Sequence, residues 1–266
     1  MSEKIVINGQ VCDRSTLDVD KDTSDKYIYE VIRVIGGKPL FLKEHYDRLH
    51  RSMTMSGYSI SFSMEELNQL IAKLFNANEA YNDNVKLILD NLDNENGYDV
   101  YLYLLHASYP SDEAYTNGVA TDLFSAMRDN PHIKIRNQGL RDATNAMIKK
   151  FGLFEVILVD KDRCITEGSR SNIFFIKADK VYTSPADGVL LGVTRQKIIE
   201  LCLSNGIEVI ENSIPYDKIS GFDAAFISGT SPKVLPIARI GDLSLDVNQP
   251  TLRTIMEFFD REIQKL

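Results

Sequence analysis

The sequence of 266 residues contains no tryptophan and only three cysteines, Cys12, Cys164 and Cys202. The cysteines are odd in number, lie far apart and form no C-x-x-C pair, so neither a disulfide framework nor a cysteine zinc cluster is predicted. The four histidines likewise show no H-E-x-x-H or comparable spacing of metal ligands. Few, unpaired cysteines are typical of a reducing cytosol, so we expect a cytoplasmic protein without a bound metal.

Long apolar runs and an excess of basic residues are also missing. No stretch approaches the roughly 18 apolar residues of a membrane span, and the opening MSEKIVING lacks the apolar core of a signal peptide. Lysine and arginine number 30 against 38 aspartate and glutamate, which gives a net charge of −8. Because nucleic-acid-binding surfaces are usually basic, we expect neither a nucleic acid nor a membrane as a partner.

Three common signatures of cofactor and nucleophile loops are absent. The chain has no G-x-G-x-x-G, no G-x-x-x-x-G-K-[ST] and no G-x-S-x-G. Dinucleotide-binding, P-loop and serine-hydrolase functions therefore have no support. What is present is the composition of an ordinary globular protein, with 44% hydrophobic and 26% charged residues.

Periodicity predicts helices and strands mixed in two domains. Ser63 and Glu66 form a capping box before an amphipathic helix, and Pro250 suits the first position of a C-terminal helix. Short apolar runs predict strands at 5–7, 27–34, 85–89, 100–105, 154–159, 172–176, 207–210 and 224–228. We predict an α+β fold with a small N-terminal domain (1–108), a polar linker (109–117) and a larger C-terminal domain (118–266).

Four groups of segments, in order along the chain, resemble one enzyme family. They are Y-E-V-I-R (29–33) with E-H-Y-D-R-L (44–49), I-K-I-R-N (133–137), I-T-E-G-S-R-S-N-I-F-F (165–175), and G-V-T-R (192–195) with S-G-T-S (228–231). Their order and separations are similar to those of the fold-type IV pyridoxal-phosphate enzymes. That family includes the branched-chain and D-amino-acid aminotransferases and 4-amino-4-deoxychorismate lyase. The resemblance implies the two-domain D-amino-acid-aminotransferase-like architecture over most of the chain.

The resemblance also implies the cofactor, pyridoxal 5′-phosphate, and two catalytic residues. Lys134 matches the lysine that forms the Schiff base, and Glu167 matches the acid that binds the ring nitrogen. A carboxylate at that nitrogen keeps the ring protonated and able to withdraw electrons from the substrate. From the residues alone, Lys134 could instead be a surface lysine, and Glu167 a turn carboxylate before Gly168.

Four further residues match the phosphate-binding side of the family's cofactor site, namely Arg48, Val193, Thr194 and Thr230. The helix predicted after Gly192 would present free N–H groups to a phosphate dianion. Arg48 would add a charge-assisted hydrogen bond. The alternative interpretation is that Thr194 only caps its helix and Arg48 only pairs with Glu44.

The substrate side departs from the family's pattern. The glycine-rich segment expected before the tyrosine reads S-D-K-Y-I-Y-E (24–30), and Asn91 stands where many members have an arginine. Candidate substrate contacts are Tyr29, Arg136, Arg141 and Ser231. Lys233 is a further candidate for an anion partner. For each cation the alternative is ordinary surface charge, and for Tyr29 it is a half-buried strand position.

The activity implied by the resemblance is that of a pyridoxal-phosphate-dependent aminotransferase. It would move an amino group between an amino acid and a 2-oxo acid, with Lys134 carrying the proton. One alternative is 4-amino-4-deoxychorismate lyase, which eliminates pyruvate. Another is a homologue that binds the cofactor without catalysis, which the retention of Arg48, Lys134 and Glu167 disfavours. Since family members cover each active site with the small domain of a second chain, we expect a homodimer.

Overall fold

The computed structural model of the chain describes residues 3–18, 22–24, 26–94, 97–106, 109–127 and 130–265. Internal contacts divide the chain into two units. Unit 1 comprises Met1–Ser108 and Ile133–Asn137, and unit 2 comprises Tyr109–His132 and Gln138–Leu266.

Unit 1 is built on a six-stranded sheet. Its strands are β1 (Lys4–Ile7), β2 (Gln10–Asp13), β3 (Ile28–Ile35), β4 (Lys38–Pro39), β5 (Asp83–Asp90) and β6 (Asp99–Leu104). They lie in the order β2-β1-β6-β5-β3-β4, and each neighbouring pair is antiparallel. The four strands predicted in this part of the chain are confirmed, with ends that differ by at most a few residues.

Two helices, α1 (Leu42–Met55) and α2 (Met64–Ala77), pack on one face of this sheet. The predicted capping box of α2 is confirmed, because the Glu66 amide donates to Ser63 Oγ at 3.2 Å and the Ser63 amide donates to Glu66 Oε2 at 2.7 Å. The opposite face carries a second cluster of Ile5, Leu17, Tyr27, Tyr29, Ile88, Tyr101 and Tyr103. Since side chains alternate along a strand, β3 and β5 contribute side chains to the clusters on both faces of the sheet.

Residues 133–137 fall within the predicted C-terminal domain (118–266), and by internal contacts they group with unit 1. Ile135 forms an isolated antiparallel bridge with Ile28 in β3 rather than lying in a longer strand. The physical reason lies in β4, which pairs only with Val34 and Ile35 at the far end of β3. The first half of β3 therefore has backbone groups available for this short segment.

Unit 2 contains a ten-stranded sheet with helices. Its elements are α3 (Asp112–Asn117), β7 (Val119–Ser125), α4 (Gln138–Phe151), β8 (Glu155–Val159), β9 (Cys164–Gly168), β10 (Asn172–Lys177), β11 (Lys180–Thr183), α5 (Val193–Ser204), β12 (Val209–Glu211), β13 (Ile214–Pro215), β14 (Ala224–Gly229), β15 (Lys233–Ile240), β16 (Leu243–Ser244) and α6 (Pro250–Gln264). The strand order is β12-β11-β10-β14-β15-β7-β8-β9-β13, with β16 beside β15. The pairs β7–β8, β7–β15 and β11–β12 are parallel.

The predicted linker, 109–117, contains the helix α3 and groups with unit 2. Ser111 caps this helix by accepting a hydrogen bond from the Ala114 amide at 3.2 Å. The Tyr115 hydroxyl donates to the Pro232 carbonyl at 3.2 Å. The segment is thus tied to unit 2 by a cap and a tertiary hydrogen bond, although its polar sequence predicts a connection.

The predicted strands at 154–159, 172–176 and 224–228 and the helices α5 and α6 are confirmed, with Pro250 as the first residue of α6. The strand predicted at 207–210 begins later, at Val209. The strands β7, β9, β11, β13, β15 and β16 and the helix α4 were not predicted from the sequence. The helix α4 was missed because Thr144 is its one fully buried residue. A helix that buries so little has only a weak apolar stripe in its sequence.

Candidate active site

Lys134 is positioned by backbone hydrogen bonds to β3. The Tyr29 amide donates to the Lys134 carbonyl at 3.1 Å, and the Arg136 amide donates to the Tyr27 carbonyl at 3.1 Å. With Ile135 opposite Ile28, strand alternation places Lys134 and Arg136 on the tyrosine face. Lys134 Nζ lies 4.7 Å from the centroid of the Tyr29 ring. The lysine is half-buried over an aromatic ring, and is not a fully solvated surface residue.

Arg48 lies in α1 and binds a carboxylate that the sequence analysis did not single out. Arg48 Nε donates to Glu30 Oε1 at 2.8 Å, and Nη2 donates to Glu30 Oε2 at 2.6 Å. His45 Nδ1 lies 2.8 Å from Glu30 Oε2. All three residues are less than 5% exposed. Glu30, which precedes Val31 in the predicted strand, is therefore the residue that orients Arg48.

The charges in this buried cluster can be assigned from the surroundings of each group. Burial by itself would raise the pKa of Glu30, but the charge of Arg48 and hydrogen bonds from Arg48 and His45 outweigh it and lower the pKa to about 2. Burial lowers the pKa of His45, and the nearby charges of Arg48 and Lys134 lower it further, against the opposing effect of Glu30. Glu30 is thus ionised at neutral pH while His45 is neutral. An ionised carboxylate only accepts hydrogen bonds, so His45 carries its hydrogen on Nδ1.

In unit 2, Glu167 lies in β9 and is 3% exposed. Its Oε2 atom accepts hydrogen bonds from the Leu190 amide at 3.2 Å and from Asn172 Nδ2 at 3.4 Å. Asn172 Nδ2 also donates to the Leu190 carbonyl at 2.9 Å. The residue is a buried strand carboxylate held by neutral donors, so the turn-carboxylate alternative is wrong.

A second buried carboxylate orders the loop that follows Glu167. Glu155 accepts hydrogen bonds from the hydroxyls of Ser169 and Ser171, at 2.6 and 3.0 Å, and from the Arg170 amide at 3.1 Å. A Cβ atom at Gly168 would collide with Ser171 Oγ. The sequence analysis did not single out Glu155. The available signal was a charged residue inside the apolar run F-E-V-I-L-V (154–159).

The start of α5 is formed by Gly192, Val193 and Thr194. Gly192 is the N-cap residue, so the alternative in which Thr194 only caps the helix is wrong. A Cβ atom at Gly192 would collide with Asn172 Oδ1, which explains why glycine is needed there. The first turn contains no acidic residue. Its backbone N–H groups lack carbonyl partners within the helix and favour an anion.

Beside this helix start, Ser228 ends the buried part of β14. Its register partner in β10 is Asn172, whose amide contacts Gly192 and Glu167. Ser228 is 1% exposed, and among the described residues its Oγ atom has no hydrogen-bond partner. Thr230 and Ser231 are half-buried in the turn that follows. A buried hydroxyl in this state is consistent with a site for a polar ligand.

Two other predicted cations lie elsewhere in unit 2. Arg141 is half-buried in the first half of α4. Lys233 Nζ forms an ion pair with Asp260 Oδ1 in α6 at 2.7 Å. This contact agrees with the alternative that assigned Lys233 to ordinary surface charge.

Comparison with known proteins decides the family. A family model described as amino-transferase class IV matches residues 27–240. The chain belongs to the class IV aminotransferases. D-alanine aminotransferase of Bacillus licheniformis is 29% identical over 264 residues, which cover 93% of this chain and 92% of that protein.

Solved structures agree in fold with this class IV aminotransferase. A branched-chain aminotransferase of the archaeon Thermoproteus uzoniensis, solved with norvaline, has a TM-score of 0.86 at 23% identity and covers 98% of this chain and 94% of its own. A protein from Legionella pneumophila described as a putative 4-amino-4-deoxychorismate lyase has a TM-score of 0.82 at 20% identity. The match covers 90% of this chain and 91% of that protein's chain. The predicted fold-type IV class and the predicted aminotransferase activity, between an amino acid and a 2-oxo acid, are confirmed.

Two kinds of feature are missing from the described part of the chain. It contains no helix of the length and apolar character that crossing a membrane requires. Nor do its described residues include a group of three or more histidine, cysteine, aspartate or glutamate side chains that could hold a metal ion.

The buried cluster of unit 1 generates a stability prediction. Glu30→Gln should lower the free energy of unfolding at pH 7 by about 3 kcal/mol, because it leaves the Arg48 charge buried without its partner. Asp47→Asn, which removes the exposed i,i+4 partner of Lys43, should cost less than about 1 kcal/mol. Urea unfolding of the three proteins measures both differences.

The pH dependence of this effect has a definite sign. The pKa of Glu30 is 4.5 in its ordinary state and about 2 in the fold, so its contribution is complete above pH 4.5 and is lost as the pH falls towards 2. The difference in free energy of unfolding between wild type and Glu30→Gln should therefore become smaller below pH 4.5. If Glu30→Gln and Asp47→Asn lowered the free energy of unfolding by the same amount at pH 7, the buried Glu30–Arg48 pair would contribute no more than an exposed pair.

Proposed function

We propose that this aminotransferase uses pyridoxal 5′-phosphate, and that Lys134 is the residue that holds it covalently. The observation that carries the proposal is the placement of Lys134 in unit 1. It is fixed by strand pairing, half-buried over Tyr29, and close enough to lower the pKa of His45. Most lysine side chains in proteins are mobile and lie at the surface. Lys134 differs from them because its contacts hold it in place.

The residues of unit 2 suit the phosphate and ring of such a cofactor. The first turn of α5 presents backbone N–H groups without an acidic neighbour, and Gly192 lets Asn172 Oδ1 approach this turn closely, where a Cβ atom would collide with it. Ser228 adds a buried hydroxyl beside it. In this proposal the phosphate is bound by Arg48, Val193, Thr194 and Thr230, and the ring nitrogen by Glu167.

When bound, pyridoxal phosphate supplies an electron sink that makes the Cα–H bond of an amino acid acidic. Once the substrate's amino group has replaced it on the cofactor, Lys134 Nζ would take that proton from Cα and deliver it to the cofactor's C4′ carbon in the amino-transfer step. Glu167, buried and held by the Leu190 amide and Asn172, would keep a proton on the ring nitrogen. Glu155 would act indirectly, by ordering residues 168–171 next to Glu167. The substrate contacts Tyr29, Arg136, Arg141 and Ser231 remain predictions.

Covalent labelling tests the central assignment. Borohydride treatment of the protein with pyridoxal phosphate should place the cofactor's mass on the peptide that contains Lys134, as read by mass spectrometry. Lys134→Ala should abolish both the adduct and amino transfer. The matched control is Lys73→Ala, which changes an exposed lysine of α2 and should alter neither. An adduct on another lysine would overturn the assignment.

A second experiment separates cofactor binding from chemistry. Because Arg48 also neutralises Glu30, the double variant Glu30→Gln/Arg48→Gln should be compared with Glu30→Gln alone. The double variant should bind pyridoxal phosphate about 10- to 100-fold more weakly, the value of a charge-assisted hydrogen bond. Glu167→Gln should keep the cofactor while the single-turnover rate with an amino donor falls by orders of magnitude.

Fluorescence titration of the cofactor and stopped-flow kinetics measure these two quantities. An unchanged rate in Glu167→Gln would show that Glu167 does not act on the ring nitrogen. Release of pyruvate from 4-amino-4-deoxychorismate without any oxo-acid acceptor would instead favour lyase activity.

We further propose that the enzyme is cytoplasmic and a homodimer. The cytoplasmic location is supported by the free thiols of Cys12, Cys164 and Cys202. The dimer is supported by the resemblance to a family in which the small domain of one chain covers the active site of another. Sedimentation at micromolar concentration should give about twice the mass of the 30.1 kDa chain. A fully active monomer would contradict this proposal.

A further inference from the structure

A cluster of tyrosines and cations covers the sheet face of unit 1 that also carries Lys134. Register places Lys86 of β5 opposite Val31 of β3 and Tyr103 of β6. Tyr29 pairs with Ile88, two residues along β5 from Lys86. Because residues two apart on a strand share a face, Lys86 and Tyr29 lie on the same side of the sheet.

The ammonium group of Lys86 is held at the centre of this cluster. Its Nζ atom lies 5.0 Å from the Tyr27 ring centroid, 5.3 Å from that of Tyr29 and 5.8 Å from that of Tyr103. It also donates a hydrogen bond to the Tyr27 hydroxyl at 2.8 Å. The three rings are less than 10% exposed. The position of this charge is therefore defined by several contacts.

Two more cations approach the same rings. The Arg136 guanidinium carbon lies 5.3 Å from the Tyr27 centroid, and Lys134 Nζ lies 4.7 Å from the Tyr29 centroid. The ammonium groups of Lys86 and Lys134 thus share one neighbouring ring. Cations gathered around the same rings create a positive local potential, which favours the binding of an anion on this face.

We propose that Lys86, together with Arg136, binds the carboxylate of the amino acid and of the 2-oxo acid. The inference rests on the proposed function, in which the amino acid reacts at Lys134. In any 2-amino or 2-oxo acid the carboxylate is bonded directly to the reacting carbon, so its binding group must lie close to that lysine. Tyr27 acts as a positioning residue, since its hydroxyl accepts the hydrogen bond that directs Lys86.

The residue at the position where many family members have an arginine does not supply this charge. Asn91 has a left-handed backbone, with φ of 52°. Its side-chain amide donates to Asp99 Oδ2 at 2.7 Å. It is therefore a turn residue engaged with its own hairpin, while Lys86 supplies a cation from within β5, the strand that Asn91 follows.

The test is the binding of propionate, a carboxylate that cannot react, to the holoenzyme. Quenching of the bound cofactor's fluorescence gives its dissociation constant without turnover, and the absence of tryptophan keeps that signal clear. Lys86→Met should weaken propionate about 10- to 100-fold. KM for the amino donor should rise by a similar factor, while kcat and the affinity for pyridoxal phosphate change little.

Three further variants complete the design. Lys86→Arg keeps the charge and should recover most of the propionate affinity. Tyr27→Phe, which removes the hydroxyl that Lys86 contacts, should give an intermediate loss. Lys73→Met, the same chemical change at an exposed site, should match wild type in every measurement.

Unchanged propionate binding in Lys86→Met would overturn the proposal. Loss of cofactor or folding in both Lys86→Met and Lys86→Arg would also overturn it, because the role would then be structural. Failure of the proposed function gives a different result, the absence of a borohydride adduct on Lys134 in the wild-type protein.

Discussion

The pairing of residues 133–137 with the first half of β3 is the interaction on which the rest of the candidate site depends. Two backbone hydrogen bonds and one bridge set the register, and that register decides which side chains face the tyrosines. Because side chains alternate along a strand, neighbouring residues of β3 lie on opposite faces of the sheet. Tyr29 lies with Lys134, while Glu30 points to α1 and holds Arg48. A shift of one residue in the pairing of segment 133–137 would place Lys134 on the Glu30 side of the sheet, away from the tyrosines.

Each unit contains a buried carboxylate that binds neighbouring hydrogen-bond donors, Glu30 in unit 1 and Glu155 in unit 2. Glu30 is ionised because Arg48 compensates for the cost of burial, and in turn it fixes the orientation of the guanidinium. Glu155 is satisfied in a different way, by hydroxyl and amide donors from the loop after Glu167. In the proposed function, each of these residues orients a neighbour that would bind the cofactor. They are positioning residues, and their loss should affect geometry before chemistry.

Local signals predicted much of the fold, and the motifs predicted the family. The capping box at Ser63, the first position of α6 at Pro250 and the glycine before α5 are read from adjacent residues, so the sequence suffices. The pairing of Glu30 with Arg48 could not be read in this way, since it depends on how α1 packs on β3. Lys86 was missed for a similar reason. Its neighbours Tyr27 and Tyr103 lie just before β3 and in β6, and only the register brings them together.

A crystal structure of the protein with pyridoxal phosphate would show where the cofactor binds. We expect continuous electron density from Lys134 Nζ to the cofactor, with the phosphate at the first turn of α5 and Arg48 in contact with it. The ring nitrogen should lie within hydrogen-bond distance of Glu167. Density for the cofactor on a different lysine, or a phosphate bound away from Thr194, would contradict the assignment of Lys134 and of the α5 helix start to the cofactor.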